Sequence, residues 1–287
     1  ETQRLYQLAV KHSWQVAESV NWQAKVCFSR SPLAPELLVW IGFPAFEKLP
    51  APERNLLAWK LFIFLLSDIY HGELAALTLA AQLAATAEKS AEKLSLGAQV
   101  FEEARHVEFF QLLFGKLDAQ IQPASPALQH LIDEAVASES RMEKLLVCQL
   151  IIENLALVRF QQLLAHSRLE LLQQGLRRIL QDEARHVSLG PLLIKQQLLR
   201  EPDSPRQDYP RFVFDAVYSL RNDFSVCLQI ARQHDWEIVA FRRHLRLHLL
   251  QQKNMASQLQ KRLQRALTAA GLKPGSTGLH HCIEPVN

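Results

Sequence analysis

Two nearly identical hexapeptides lie 80 residues apart in this chain: "EEARHV" at 102–107 and "DEARHV" at 182–187. Each contains Glu-x-x-His, and a spacing of three places both side chains on one face of a helix. The face of Glu103 and His106 also carries Leu96, Val100, Phe110 and Leu113. The face of Glu183 and His186 carries Leu176, Ile179, Leu180 and Leu193. Since buried carboxylates and imidazoles are unfavourable unless paired or ligating, the fold must bring compensating groups to both helices.

Two further glutamates lie on apolar helix faces. Glu73 shares its face with Leu66, Ile69, Ala76, Leu77 and Ala80. Glu153 shares its face with Leu146, Leu150, Ala156, Leu157 and Phe160. Glu73 precedes Glu103 by 30 residues, and Glu153 precedes Glu183 by the same interval. In antiparallel helices joined by a short turn, residues equidistant from the turn lie at one level, so we expect all four glutamates to meet.

Four carboxylates and two imidazoles at one level predict a dinuclear metal site. The carboxylates would repel one another without cations, and two divalent ions would neutralise them. Oxygen donors with one imidazole per ion suit Fe(II) or Mn(II) better than an ion that prefers thiolates. In a competing interpretation, Glu103 and Glu183 form buried ion pairs with Arg105 or Arg185, which leaves the other two glutamates without partners.

The residues just before the two Glu-x-x-His motifs are also acidic. Ligating imidazoles usually donate their second N–H to a carboxylate, a carbonyl or water. We therefore expect Asp182 to accept from His106 and Glu102 to accept from His186, across the bundle. The arginines of both hexapeptides would then pair with these outer carboxylates.

The rest of the chain predicts an all-α protein. Gly is scarce, and no segment shows the sustained alternation of a half-buried strand. Helical patterns cover about 53–86, 88–116, 138–166 and 167–200, and a last long one covers about 235–270. Long helices with short connections indicate an antiparallel bundle.

Charge, cysteines and hydropathy restrict the environment of the chain. The net charge is +3, and the basic residues near the C-terminus occur without a known binding motif, so nucleic acid is not expected as a partner. The four scattered cysteines form no CxxC pair, which is typical of reduced thiols. The N-terminus is charged and unlike a signal peptide, and the most apolar run, "LAWKLFIFLLSDIY", is short and interrupted. We expect a cytoplasmic protein that does not cross a membrane.

The motifs "HGEL", "EEARHVEFF", "IIENLAL" and "DEARHVSLG" resemble the ferritin-like di-iron carboxylate superfamily. The closer resemblance is to ribonucleotide reductase small subunits, ligand-binding oxidases and di-iron oxygenases. It implies a ferritin-like four-helix bundle with additional N- and C-terminal helices, in a single domain of residues 1–287. The parts would be a lead-in at 1–51, a core at about 52–200, C-terminal helices at about 208–270 and an irregular tail at 271–287. The resemblance also implies two Fe, with Mn/Fe as the alternative. One metal would be held by Glu73, Glu103 and His106, and the other by Glu153, Glu183 and His186.

The chain departs from the specialised members of this superfamily at several positions beside the expected ligands. Phe110 replaces the radical-bearing Tyr of reductase subunits, and Leu157 replaces the Thr of hydrocarbon monooxygenases. Cys148 and Ala76 replace the Tyr and Val that crosslink in ligand-binding oxidases. Ile179 replaces the seventh ligand, a His, of arylamine N-oxygenases.

The resemblance implies an oxidoreductase that activates O2 and oxidises a small, largely apolar organic substrate. The electron donor would be a ferredoxin or a reductase, and the chain could form a homodimer. The alternatives are an iron-binding or ferroxidase protein and a reductase-like small subunit without a tyrosyl radical. Residues expected to line a substrate pocket are Ile69, Ala76, Phe110, Cys148, Leu157, Phe160 and Ile179.

Overall fold

The structure is a computed structural model that describes residues 1–201, 205–251 and 253–273. The N-terminal segment contains α1 (Thr2–Lys11), α2 (Val16–Ser19), a 3-10 turn (Pro35–Leu37) and α3 (Pro44–Glu47). The bundle contains α4 (Ala51–Ala85), α5 (Ser90–Lys116), α6 (Pro126–Ala137), α7 (Arg141–Leu145), a π-helical segment (Leu146–Ile152), α8 (Glu153–His166) and α9 (Glu170–Arg200). The C-terminal part contains α10 (Tyr209–Arg221), α11 (Ser225–Gln233), α12 (Ile238–Gln251) and α13 (Lys253–Ala269). Within these ranges no strand forms, so the all-α prediction is confirmed.

The four long helices begin and end within about three residues of the sequence-based expectation. Pro52 in the first turn of α4 suits a helix start, because the backbone N–H that it lacks would have no partner there. In the third helix the expectation was incomplete. The helix begins at Arg141, capped by the side chain of Ser140, and it is π-helical at Leu146–Ile152. The sequence patterns did not predict the preceding helix, α6. Most of the predicted irregular tail, residues 274–287, lies outside the described residues.

The bundle is built from two tightly packed pairs, α4 with α5 and α8 with α9, and α5 also packs on α9. Its apolar core consists of two clusters. One contains Leu66, Phe110 and Leu176, and the other contains Leu79 and Leu193. Along α4 and α9 the chain passes from the first cluster to the second, and along α5 from the second to the first. The four glutamates lie between the two clusters, so the polar level is closed by hydrocarbon above and below.

Close helix contacts beside this polar level depend on a glycine. A Cβ atom added at Gly190 of α9 would lie 2.9 Å from the backbone oxygen of Gln149, in the π-helical segment. Only glycine permits this approach of α9 to the segment that leads directly into Glu153. Gly190 therefore helps to set the position of a predicted ligand.

The helix α4 is long and apolar enough, by length and composition alone, to cross a membrane, and 44% of its most apolar window is buried inside the protein. Core helices of globular proteins are often as long and as apolar as this one. The buried residues of α4 include the charged side chain Glu73. The three described cysteines, Cys27, Cys148 and Cys227, are all free thiols.

Candidate metal centre

The six residues predicted as ligands meet at one level of the bundle, and each is at most 2% exposed. They form two overlapping groups whose donor atoms lie within 4.8 Å of one another: Glu73, Glu103, His106 and Glu183, and Glu103, Glu153, Glu183 and His186. The sequence-based assignment placed Glu103 on one side and Glu183 on the other. In the structure both belong to both groups, a position from which a carboxylate can bridge two cations.

Each imidazole presents its Nδ1 atom to three carboxylates. His106 Nδ1 lies 2.9 Å from Glu73, 3.1 Å from Glu103 and 3.3 Å from Glu183. His186 Nδ1 lies 3.0 Å from Glu103, 3.3 Å from Glu153 and 3.7 Å from Glu183. The two halves of the site therefore repeat one arrangement, as the duplicated hexapeptide suggested.

The Nε2 atoms point the opposite way, to the two acidic residues that precede the motifs. His106 Nε2 lies 3.1 Å from Asp182 Oδ2, and His186 Nε2 lies 2.8 Å from Glu102 Oε2. Both cross-bundle contacts expected from the sequence are present. When Nε2 donates its proton to these carboxylates, the lone pair of Nδ1 is directed at the glutamates, as metal ligation requires.

The arginines of the two hexapeptides enclose these outer carboxylates. Arg105 Nη2 lies 3.2 Å from Asp182 and 3.8 Å from Glu102. Arg185 Nη2 contacts both carboxylates as well. The competing interpretation, in which these arginines neutralise Glu103 and Glu183, is wrong: two arginines and two outer carboxylates balance each other, and the inner glutamates are left for other cations.

Trp14 extends this outer layer, and no sequence pattern pointed to it. Its Nε1 donates a 2.8 Å hydrogen bond to Asp182 across 168 residues of chain. The guanidinium of Arg105 lies 5.4 Å from the centre of the Trp14 ring and donates to Ser13 Oγ at 2.7 Å. The N-terminal lead-in is thus bonded directly to the second hexapeptide.

Two buried glutamines also contact the site and were missed. Gln99 Nε2 donates to Glu153 at 2.6 Å and to Glu103 at 3.3 Å. Gln149 Nε2 donates to Gln99 Oε1 at 2.8 Å, which orients that amide. Gln99 and Gln149 precede Glu103 and Glu153 by four residues, so the helical period could have identified them.

The carboxyl groups of the centre differ in how readily they ionise. Burial raises the pKa of Glu73 to about 7, against the lowering effect of its hydrogen bond with His106. Burial and the charge of Glu153 raise the pKa of Glu183 well above its ordinary value. For Glu103, burial acts to raise the pKa, but the charge of His186 and the hydrogen bonds with both imidazoles outweigh it, so the pKa is lowered.

Both imidazoles have raised pKa values. Burial alone would lower the pKa of His106. The hydrogen bonds of His106 to Asp182 and Glu103 outweigh that effect, so the pKa is raised. The metal-free chain therefore balances its buried carboxylates with protons on imidazole and carboxyl groups. Bound cations would displace those protons, because ligands bind metals in their deprotonated forms.

Two donor atoms show that protons alone do not satisfy the centre. His186 Nδ1 and Glu183 Oε2 are buried and make no hydrogen bond of acceptable geometry within the described residues. Buried polar atoms without partners are rare and costly, and a cation would satisfy both. The donor set of carboxylate oxygens and one imidazole per group therefore fits two hard divalent cations.

The positions that distinguish specialised relatives contain apolar or thiol side chains. Phe110 stacks on Phe160 with ring centres 6.1 Å apart. Cys148 Sγ lies 4.0 Å from the backbone oxygen of Ala76. All seven expected pocket residues are buried, and Ile69 also lines an open cleft that reaches Glu73. The other six pack in the core.

Known proteins resemble this chain in sequence family and in fold. The family model described as "P-aminobenzoate N-oxygenase AurF" matches residues 1–227. No curated protein matches the chain as a close relative.

Solved structures with the same fold include two helical metalloproteins. One is a tyrosine-to-phenylalanine variant of an R2-like ligand-binding oxidase with an anaerobically reconstituted Mn/Fe cofactor, at 19% identity and a TM-score of 0.56, covering 92% of each chain. The other is the dimanganese(II) form of NrdF from Streptococcus sanguinis, at 14% identity and a TM-score of 0.53, covering 99% of this chain and 95% of that one. At these identities the likeness establishes the ferritin-like fold.

Proposed function

Because the chain belongs to the P-aminobenzoate N-oxygenase AurF family, within the ferritin-like di-iron superfamily, we propose that it oxidises a small, largely apolar organic substrate with O2. Membership makes the chain an oxidoreductase of the oxygenase and oxidase class. The observation that carries the proposal is the pair of overlapping buried donor groups with two unsatisfied donor atoms.

The proposed ligands are Glu73, Glu103, His106, Glu153, Glu183 and His186, holding two Fe ions or, alternatively, Mn and Fe. Two reduced ions would supply electrons to O2 in a site closed by hydrocarbon on both sides. For an oxygenase, one oxygen atom enters a C–H or N–H bond of the substrate. The other oxygen leaves as water, after uptake of two electrons from a donor and two protons.

The chain's own residues would orient and isolate this chemistry. Asp182 and Glu102 hold the imidazoles with Nδ1 directed inward, and Gln99 holds one oxygen of Glu153. The apolar clusters exclude water from both ends of the site, which protects reactive species from side reactions. A ferredoxin or a reductase is the proposed electron donor. The homodimer and the cytoplasmic location remain predictions.

The family match favours an oxygenase over the ferroxidase and reductase-like alternatives. The reductase-like alternative also needs a route for a radical, and Phe110 offers no hydroxyl at the expected position. At the seventh-ligand position, Ile179 is fully buried hydrocarbon. The proposed site therefore uses six protein ligands.

Anaerobic loading with Fe(II) followed by exposure to air tests the proposal. The wild-type chain should consume O2 and develop a transient visible absorption. Glu103→Ala should lose both, since Glu103 belongs to both donor groups. Glu108→Ala is the matched control, because Glu108 lies on the exposed face of the same helix. An O2 reaction of equal rate in Glu103→Ala would refute the assignment.

A further inference from the structure

A fully buried thiol lies beside the proposed metal centre and takes no part in the proposed ligation. Cys148 belongs to the π-helical segment, and its carbonyl accepts the backbone N–H of Glu153, which fixes its place relative to that ligand. Its Sγ lies 4.0 Å from the backbone oxygen of Ala76, three residues after Glu73 on α4. The thiol therefore lies between the two segments that carry Glu73 and Glu153.

Hydrogen bonds connect this thiol to two of the proposed ligands. Gln149 Nε2 donates to Cys148 Sγ at 3.5 Å and to Gln99 Oε1 at 2.8 Å. Gln99 in turn donates to Glu153 and Glu103. Burial, and then the charges of Glu153 and Glu103, raise the pKa of Cys148 well above its ordinary value, so the thiol is neutral. One pair of amides thus separates a protonated thiol from the centre.

The amide beside the thiol has an acceptor that nothing uses. Gln149 is fully buried, and within the described residues its Oε1 has no hydrogen-bond partner. Buried acceptors without a donor are rare and costly. Because Cys148 Sγ lies 3.5 Å from Nε2 of the same amide, an O–H group on that sulfur would supply the missing donor.

An oxidant in solution would select a different thiol. Oxidation of cysteine favours thiols that are exposed and readily ionised. Cys27 is exposed, and its hydrogen bond with Ser29 lowers the pKa of its thiol. Cys148 is neither exposed nor ionised. An oxidant that modifies Cys148 in preference to Cys27 therefore has to arise inside the bundle.

We propose that Cys148 is oxidised to a sulfenic acid by O2 at the metal centre when no organic substrate is present, and that Gln149 Oε1 accepts the new hydroxyl. The inference rests on the proposed function, because the same O2 reaction supplies the oxygen atom. One atom of O2 enters the S–H bond and gives S–O–H, and the other leaves as water after uptake of two protons. Two of the four electrons come from the sulfur and two from the pair of Fe(II) ions, which become Fe(III).

The test follows the fate of the thiols in the full chain. The protein is loaded anaerobically with Fe(II) and exposed to air without organic substrate, in the presence of catalase to remove free peroxide. It is then unfolded in urea with excess dimedone, which traps sulfenic acids, and afterwards treated with iodoacetamide. Trypsin cleaves after Lys144 and Arg159, so Cys148 is the single cysteine of its peptide. Mass spectrometry should find at least roughly fivefold more dimedone adduct on Cys148 than on Cys27 or Cys227.

The chain contains its own matched control. Cys227 of α11 is also buried, and burial raises the pKa of its thiol to about 12, but it packs in the other apolar cluster. Wild-type protein kept free of metal should give no adduct on Cys148 in air, and Glu103→Ala treated with Fe(II) should give none either. Cys27→Ser should leave the Cys148 adduct unchanged, since Cys27 lies on the surface.

Gln149→Leu tests the role of the unused acceptor. Without Oε1 the sulfenic acid loses its hydrogen bond, and a second O2 reaction should convert more of it to sulfinic acid, which dimedone does not trap. The ratio of sulfinic to sulfenic acid at Cys148 should rise at least roughly threefold relative to wild type. This ratio counts only oxidised molecules, so a lower overall yield in the variant does not affect it. An unchanged ratio would overturn the role given to Gln149.

O2 uptake is recorded on the same samples. Uptake with an unmodified Cys148 would count against the cysteine inference alone. No uptake by the Fe(II)-loaded protein would refute the proposed function and the inference with it. An adduct of equal yield on Cys27 and Cys148, or an adduct on Cys148 in the metal-free chain, would show that a free oxidant is responsible and would also overturn the inference.

Discussion

Replacing Asp182 by asparagine removes one charge from the most extensively bonded carboxylate beside the proposed metal centre. Asp182 accepts from Trp14 at 2.8 Å, from His106 at 3.1 Å and from Arg105 at 3.2 Å, and it also contacts Arg185. Asparagine keeps the shape and one acceptor oxygen. The two arginines would then face a single carboxylate in a layer that is almost fully buried.

Removing one partner of a buried ion pair costs roughly 3–5 kcal/mol. Because the side chain of Arg185 is 10% exposed and hydration can compensate it in part, we expect a loss of about 3 kcal/mol in the free energy of unfolding. Urea unfolding of the chelator-treated protein would measure it, with an unchanged m-value showing that the native state stays compact. Asp133→Asn, at an exposed aspartate of α6, is the control and should change stability by at most about 0.5 kcal/mol. A loss below about 1 kcal/mol in Asp182→Asn would refute the reasoning from charge balance.

Three further predictions concern packing, protonation and the N-terminal lead-in. Gly190→Ala should destabilise the fold by about 1–3 kcal/mol in urea unfolding, because its Cβ atom would meet the backbone of Gln149; an unchanged midpoint would contradict the close approach. Since the pKa of Glu73 is about 7 in the folded chain and 4.5 ordinarily, the metal-free fold binds this proton more tightly than the unfolded chain. Stability should therefore fall as the pH rises from about 4.5 to about 7, and Glu73→Gln should reduce that fall; an equal slope would exclude the shifted pKa. Trp14→Phe should lose roughly 1.5–3 kcal/mol with its hydrogen bond to a charged acceptor, and elemental analysis should find its metal content unchanged, since Trp14 touches no proposed ligand.

The convergence of the six proposed ligands could be predicted from the sequence because its determinants are local. A carboxylate or imidazole on an apolar helix face is unusual, and helical spacing fixes which side chains share a face. The equal 30-residue intervals then set Glu73 level with Glu103, and Glu153 level with Glu183. The cross-bundle contacts of Asp182 and Glu102 followed from the same two rules.

What could not be predicted depends on tertiary contacts or on backbone detail. Trp14 reaches Asp182 across 168 residues, and nothing near Trp14 in the sequence indicates that partner. The leucine-rich stretch that precedes Glu153 is as compatible with an α-helix as with the π-helix that it forms. Arg159 looks in sequence like any exposed helix arginine, and only the packing of α4 against α8 places it at a cleft beside Glu73.

The central claim is that this chain holds two metal ions between Glu73, Glu103, Glu153 and Glu183 and the two imidazoles. Anomalous diffraction from crystals of the Fe(II)- and Mn(II)-loaded protein, recorded at the iron and manganese edges, tests it most directly. The account predicts two peaks per chain, one within each of the two donor groups. Data from the same crystals in which the centre shows one peak or none, while metal binds elsewhere on the chain, would contradict it.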